Sequence, residues 1–175
     1  MKVVINSMGR SSSHRSDSKR YYDWLYHARL DYVAAKHLVK DKNCNCLTAF
    51  HCQQCIEKAL KGYLLYKNRR LFDGHNLTWL CKQAIMTDRT FENWLEKSSA
   101  LNRYYIESRY PADIPMEVDE ETKLSLLGAT EEMLEFICDE IKFDFNSYHK
   151  RKIYKIPSQK RGDFCIITIK DCLDF

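Results

Sequence analysis

The chain is short of the residues that punctuate structure. Its 175 residues include only 5 glycines and 3 prolines, too few for an all-β fold built on many tight turns. No stretch reaches the roughly 18 consecutive apolar residues of a membrane-spanning helix. The opening MKVVINSMGR has no apolar run of the length a secretion signal needs. Charge is also undramatic: a net +4 permits a nucleotide or nucleic-acid partner without demanding one.

Cysteine is the exception, with eight residues. Cys52, Cys55, Cys81 and Cys138 fall inside helical patterns, where a free thiol serves as a small hydrophobe. Cys52-x2-Cys55 has no second such pair to complete a tetrahedral metal site and no βαβ context for redox chemistry. No metal and no cofactor is expected. These features together predict a reduced, soluble, cytoplasmic protein without a membrane segment.

What is present is helical periodicity. Residues 1–19, rich in serine, arginine and lysine, show none and are expected to form a flexible arm. A helical unit is expected over 20–145, followed by a basic extension over 146–175 in which FCIITI suggests a short strand.

Within the helical unit the spacing predicts five helices. The first runs from about Lys19 to Val39, with Trp24, Ala28, Tyr32, Ala35 and Leu38 on one face. The second runs from about Leu47 to Lys67. A turn at Asp73-Gly74 precedes a short third helix, and FENWLEKSSALNRYYIESRYP reads as a fourth that Pro111 ends. The fifth starts near Asp119, with Leu124, Leu127, Leu134, Cys138 and Ile141 as its apolar seam.

The second helix poses the functional question. Cys52, Cys55, Ile56, Ala59, Leu60 and Tyr63 share one arc, while His51, Gln54, Glu57, Lys58 and Lys61 fill the other. Lysines neutralise phosphate and an amide reads a base or sugar edge, so this stripe suits a nucleotide ligand. The same residues also suit a network tying helices together, or a solvated face with Glu57 and Lys61 as an i,i+4 pair.

Asp31 and Arg109 lie on or beside apolar faces, where a charge is costly unless paired. A buried Asp31–Arg109 or Asp31–Lys58 bridge answers that cost. Alternatively Arg109 grips phosphate in a cleft between subunits, with Arg103 and Tyr104 lining the groove.

Trp24-x3-Ala28-x2-Asp31, then AFHCQQCIEKALKGYLL, then GHNL, then a helix ending YYIESRYP, together resemble the HEPN family, the higher eukaryotes and prokaryotes nucleotide-binding domain. The resemblance spans about Arg20 to Ile141. It implies an all-α, up-and-down bundle of four to five helices, usually a homodimer, often encoded beside or fused to a minimal nucleotidyltransferase. Some members are metal-independent RNases or toxins of toxin–antitoxin pairs, and others bind nucleotide or RNA.

The RNase branch carries Arg-x4-6-His near the end of the fourth helix, and no histidine follows Arg103 or Arg109 at that spacing. Arg70 to His75 and Arg20 to His27 match the spacing elsewhere, outside the family's position. The resemblance therefore points to a nucleotide- or RNA-binding module acting with a nucleotidyltransferase. Its ligand-binding residues would be Arg109, Lys58, Gln54, Arg103 and Lys61. The alternatives are a diverged endoribonuclease using His51 and Arg109, and a dimerisation scaffold without enzymatic activity.

Overall fold

A computed structural model describes residues 17–105, 117–145 and 148. Five helices follow one another, α1 (Tyr21–Leu38), α2 (Asn45–Asn68), α3 (Leu77–Ile85), α4 (Leu95–Asn102) and α5 (Glu120–Glu140), with no strand among the described residues. The C-terminal segment read as a short strand, and Arg109, lie outside the described residues.

α2 is the central helix: α1, α5 and α3 all pack against it. Gly62 of α2 meets Leu25 and the Tyr21 carbonyl of α1, while Asp31 meets His51 and Lys58, so the two helices run antiparallel. Their turn holds a 3₁₀ segment, Lys42–Cys44, with the Asp41 carboxylate accepting from the Asn43 amide. α5 runs parallel to α2, because Asn45 at the start of α2 donates to the carbonyl of Val118, just before α5.

Local chemistry explains the helix starts. Asp119 accepts from the Thr122 amide at 2.7 Å, and Glu120 and Glu121 complement the positive end of the α5 dipole. Asn76 caps α3 by accepting from the Trp79 amide, and Asn102 at the end of α4 accepts from the Leu77 amide at 2.7 Å. α2 ends on Arg69 in the left-handed region, φ +55°. In the loop that follows, Gly74 has φ +116°, a conformation open to glycine at little cost.

Enclosure of α2 changes which residues count as core. Ala49, Cys52, Cys55, Ile56, Ala59, Leu60, Tyr63 and Leu64 are fully buried, joined by Leu25, Ala28 and Ala35 from α1 and Met133 and Ile137 from α5. Two expectations need correction. The fourth helix is not continuous through Tyr105: a 3₁₀ turn over Arg89–Trp94 precedes α4, and i→i+3 bonds from the Tyr104 and Tyr105 amides tighten the chain after Asn102. The α5 seam also omits Leu124, which is 58% exposed, because Lys123 is the fully buried residue at that level. Its ammonium pairs with Glu120, one turn earlier on α5, at 2.9 Å.

Candidate functional site

The polar residues of α2 do not form a solvated face. Gln53, Glu57 and Lys61 are buried within the bundle, while His51, Gln54 and Lys58 are partly exposed at its edge. Helical geometry repeats a position every three or four residues, so these side chains stack along one flank of α2 and join into a single network.

At one end is Asp31 of α1. Its Oδ1 accepts from His51 Nδ1 at 3.0 Å, and its Oδ2 accepts from Lys58 Nζ. This is the Asp31–Lys58 bridge that the sequence offered as one option for a charge on an apolar face. Lys58 Nζ also donates to Gln54 Oε1 at 3.3 Å, and Gln54 Nε2 donates to Gln53 Oε1 at 2.7 Å.

At the other end is Glu57. Its Oε2 accepts from Gln53 Nε2 at 3.1 Å and Gln54 Nε2 at 3.4 Å. Its Oε1 accepts from Lys61 Nζ at 3.1 Å and His75 Nδ1 at 2.8 Å. Lys61 lies 5.4 Å from the Trp24 ring, which adds a cation–π contact where the ammonium has little water.

The two ends repeat one arrangement: a carboxylate held by one lysine and one histidine, with Gln54 between them. The charges of Lys58 and Lys61 are thus met internally by Asp31 and Glu57. A carboxylate only accepts, so each neutral imidazole must donate from Nδ1 and keep its Nε2 lone pair. His75 comes from the loop before α3, is 54% exposed at its side chain, and stacks on Tyr105 with centroids 4.8 Å apart and planes 13° apart.

The thiols beneath the network are inert by environment. Burial pushes Cys55 well above its ordinary value, with nearby Cys52 and Asp31 adding to the effect, and burial pushes Cys52 up to about 11. Among the described residues no cluster of three metal-ligating side chains occurs, and no helix is long and apolar enough to cross a membrane.

Of the residues singled out from sequence, the structure brings His51, Gln54, Lys58, Lys61 and Asp31 into one network. Arg103 follows α4, is exposed, and lies with its guanidinium 5.7 Å from the Tyr104 ring, two residues before the Tyr105 that stacks on His75. The two Arg-x4-6-His matches are unalike: Arg20 pairs with Asp23 and His27 is exposed on α1, whereas His75 belongs to the network.

Gln53 was not among the residues expected to form a site, and His75 entered only through the Arg70 to His75 spacing and the GHNL stretch. Gln53 falls between the two arcs of the helical projection, and no periodicity could bring His75 back onto α2. The histidine of GHNL was nevertheless visible as part of the resemblance.

The comparisons agree with this architecture. The protein of Thermus thermophilus called TT1696 has a crystal structure similar to this chain, with a TM-score of 0.60 and 26% identity, over 70% of this chain and 98% of that one. An archaeal HEPN homologue matches with a TM-score of 0.58 and 24% identity, over 71% of this chain and 99% of that one, a likeness of fold. No curated protein matches. The HEPN domain model matches residues 21–141, from the first residue of α1 to the residue after α5. On that match, across most of its length, the chain belongs to the HEPN family.

Proposed function

We propose that this protein is a nucleotide- or RNA-binding HEPN module that works as a homodimer beside a minimal nucleotidyltransferase. One observation carries the reading. A hydrogen-bonded polar network runs along α2 through the bundle and opens to solvent at two carboxylate-backed imidazoles, one of them stacked on Tyr105, two residues after Arg103. Lys58 and Gln54, both partly exposed, join the two imidazoles as network groups within reach of a ligand. Lys61, with a side chain 6% exposed, supports them from beneath. Arg103 and Arg109 supply the charge for phosphate, since an arginine fork grips it bidentately.

Labelled ATP and short single-stranded RNA, titrated with salt against the intact protein and Arg103→Ala and Arg109→Ala variants, test this. Salt-sensitive binding that the variants weaken supports the phosphate role. Absence of binding to either probe turns the reading to a dimerisation scaffold, and sedimentation of the free protein tests the homodimer itself.

A second reading is a metal-independent endoribonuclease with His51 as base and Arg109 as charge stabiliser. The bond from His51 Nδ1 to Asp31 favours it, because that bond leaves Nε2 free to take a proton. RNA cleavage unchanged in His51→Ala would sink it.

A further inference from the structure

We infer that His75 is a sugar-reading residue: its Nε2 accepts a hydrogen bond from a ribose 2′-hydroxyl and makes the site prefer ribonucleotides over deoxyribonucleotides. The inference rests on the nucleotide-binding reading above and adds the substrate class to it.

Its first support is the saturation of Glu57. The carboxylate is buried, and each of its oxygens already receives two donors: Lys61 and His75 on Oε1, Gln53 and Gln54 on Oε2. An ionised carboxylate has no hydrogen to give, so the Nδ1 of His75 carries one. A neutral imidazole has a single ring hydrogen, which leaves Nε2 as an acceptor and nothing else.

Its second support is rigidity. One edge of the ring is tied to a buried carboxylate at 2.8 Å, and one face is laid on Tyr105 at 13°. Turning the ring over would take Nδ1 away from Glu57 inside the bundle, where a lost hydrogen bond is costly. The acceptor therefore stays fixed on a side chain that is 54% exposed, and no bond to Nε2 occurs among the described residues.

A fixed acceptor selects by chemistry. Phosphate oxygens are acceptors themselves and gain nothing from it, so His75 does not hold phosphate in this form. A 2′-hydroxyl donates, and deoxyribose has no group there. Base amino groups also donate, but they are equally present in the two sugar series. Comparing sugars at constant base separates the two sources.

The test is binding of three labelled oligoadenylates of equal length, ribo, deoxy and 2′-fluoro, to the full chain. The 2′-fluoro sugar keeps a ribose-like substituent without a hydrogen to donate. The intact protein is expected to bind the ribo strand about five- to tenfold more tightly than the other two, the size of one hydrogen bond. His75→Phe keeps a ring to stack on Tyr105 and should bind all three alike, while His75→Gln, with a carbonyl near the place of Nε2, should keep part of the preference. Equal binding of ribo and 2′-fluoro strands by the intact protein overturns the inference alone, as does a preference that survives in His75→Phe. Failure to bind any strand overturns the nucleotide-binding reading and this inference with it.

Discussion

Glu57 and Lys61 form an ion pair one turn apart on α2, at 3.1 Å, with side chains only 5% and 6% exposed. Removing one partner of such a pair leaves the other charge in poor solvent. Glu57→Gln should therefore lower stability by about 3–5 kcal/mol. The check is a shift in the urea midpoint at unchanged slope. Adding Lys61→Met to that variant should recover most of the loss, because the stranded ammonium is then gone. A small effect from Glu57→Gln alone would mean that water reaches Lys61.

Two glycines inside helices should respond oppositely to alanine. A Cβ on Gly62 would stand 3.1 Å from Leu25 Cγ and 3.2 Å from the Tyr21 carbonyl oxygen, and that backbone atom cannot move without moving α1. A Cβ on Gly128 meets nothing within 4 Å. Gly128→Ala should stabilise by about 0.5–1 kcal/mol, the helix-propensity difference. Gly62→Ala should instead lower the melting temperature, since overpacking outweighs that gain. Thermal unfolding of the two variants side by side decides it.

The described cysteines divide into two reactivity classes. Burial pushes Cys52 to about 11 and Cys138 to about 12, and raises Cys55 and Cys81, so few thiolates exist at neutral pH. Cys44 and Cys46, around the start of α2, are partly exposed. Brief alkylation of the native protein, mapped by mass spectrometry, should mark Cys44 and Cys46 and spare the other four until urea is added. Early labelling of Cys55 would show that α2 opens locally.

Asp23 gives the acid limb of stability a defined sign. Burial pulls its carboxyl upward, yet hydrogen bonds from Ser18, Tyr148 and Arg20, with the charge of Arg20, outweigh that and hold it below the ordinary range. A group depressed on folding contributes fully above its unfolded value, about pH 4, and loses that contribution as pH falls through the lower folded value. Asp23→Asn should therefore cost stability at pH 7 and flatten the decline below about pH 4. Urea midpoints of both proteins from pH 7 to pH 2 test this.

Helix existence was legible because apolar spacing dominates it, and α2 was placed within about two residues at its start. The fate of its polar arc was not legible. Amphipathicity measured on one helix assumes one wet side, whereas α2 is surrounded by α1, α3 and α5. Glu57 and Lys61 were recognised as a pair at the right spacing, yet only tertiary packing could show them buried. Leu124 and Lys123 show the same limit in reverse. Adjacent positions differ by 100° around a helix, and hydrophobicity alone chose the leucine.

The candidate site was half legible for a related reason. Asp31 was noticed because a charge beside apolar residues demands a partner, and Lys58 was among the two partners offered. His75 arrives through a loop that carries no periodic signal, and its link to Glu57 depends on the path from Arg69 to Asn76. That path turns on Arg69 and Gly74, both at positive φ.

Asp31 also has a mechanical consequence. Its two oxygens face donors seven residues apart on α2, His51 and Lys58, separated by about two turns of helix. Sliding α1 along α2 toward either end would stretch one of these bonds while slackening the other. The carboxylate thus acts as a detent against axial travel in both directions. Any movement between these helices is left to rolling or splaying, which would open the seam between them without changing its register.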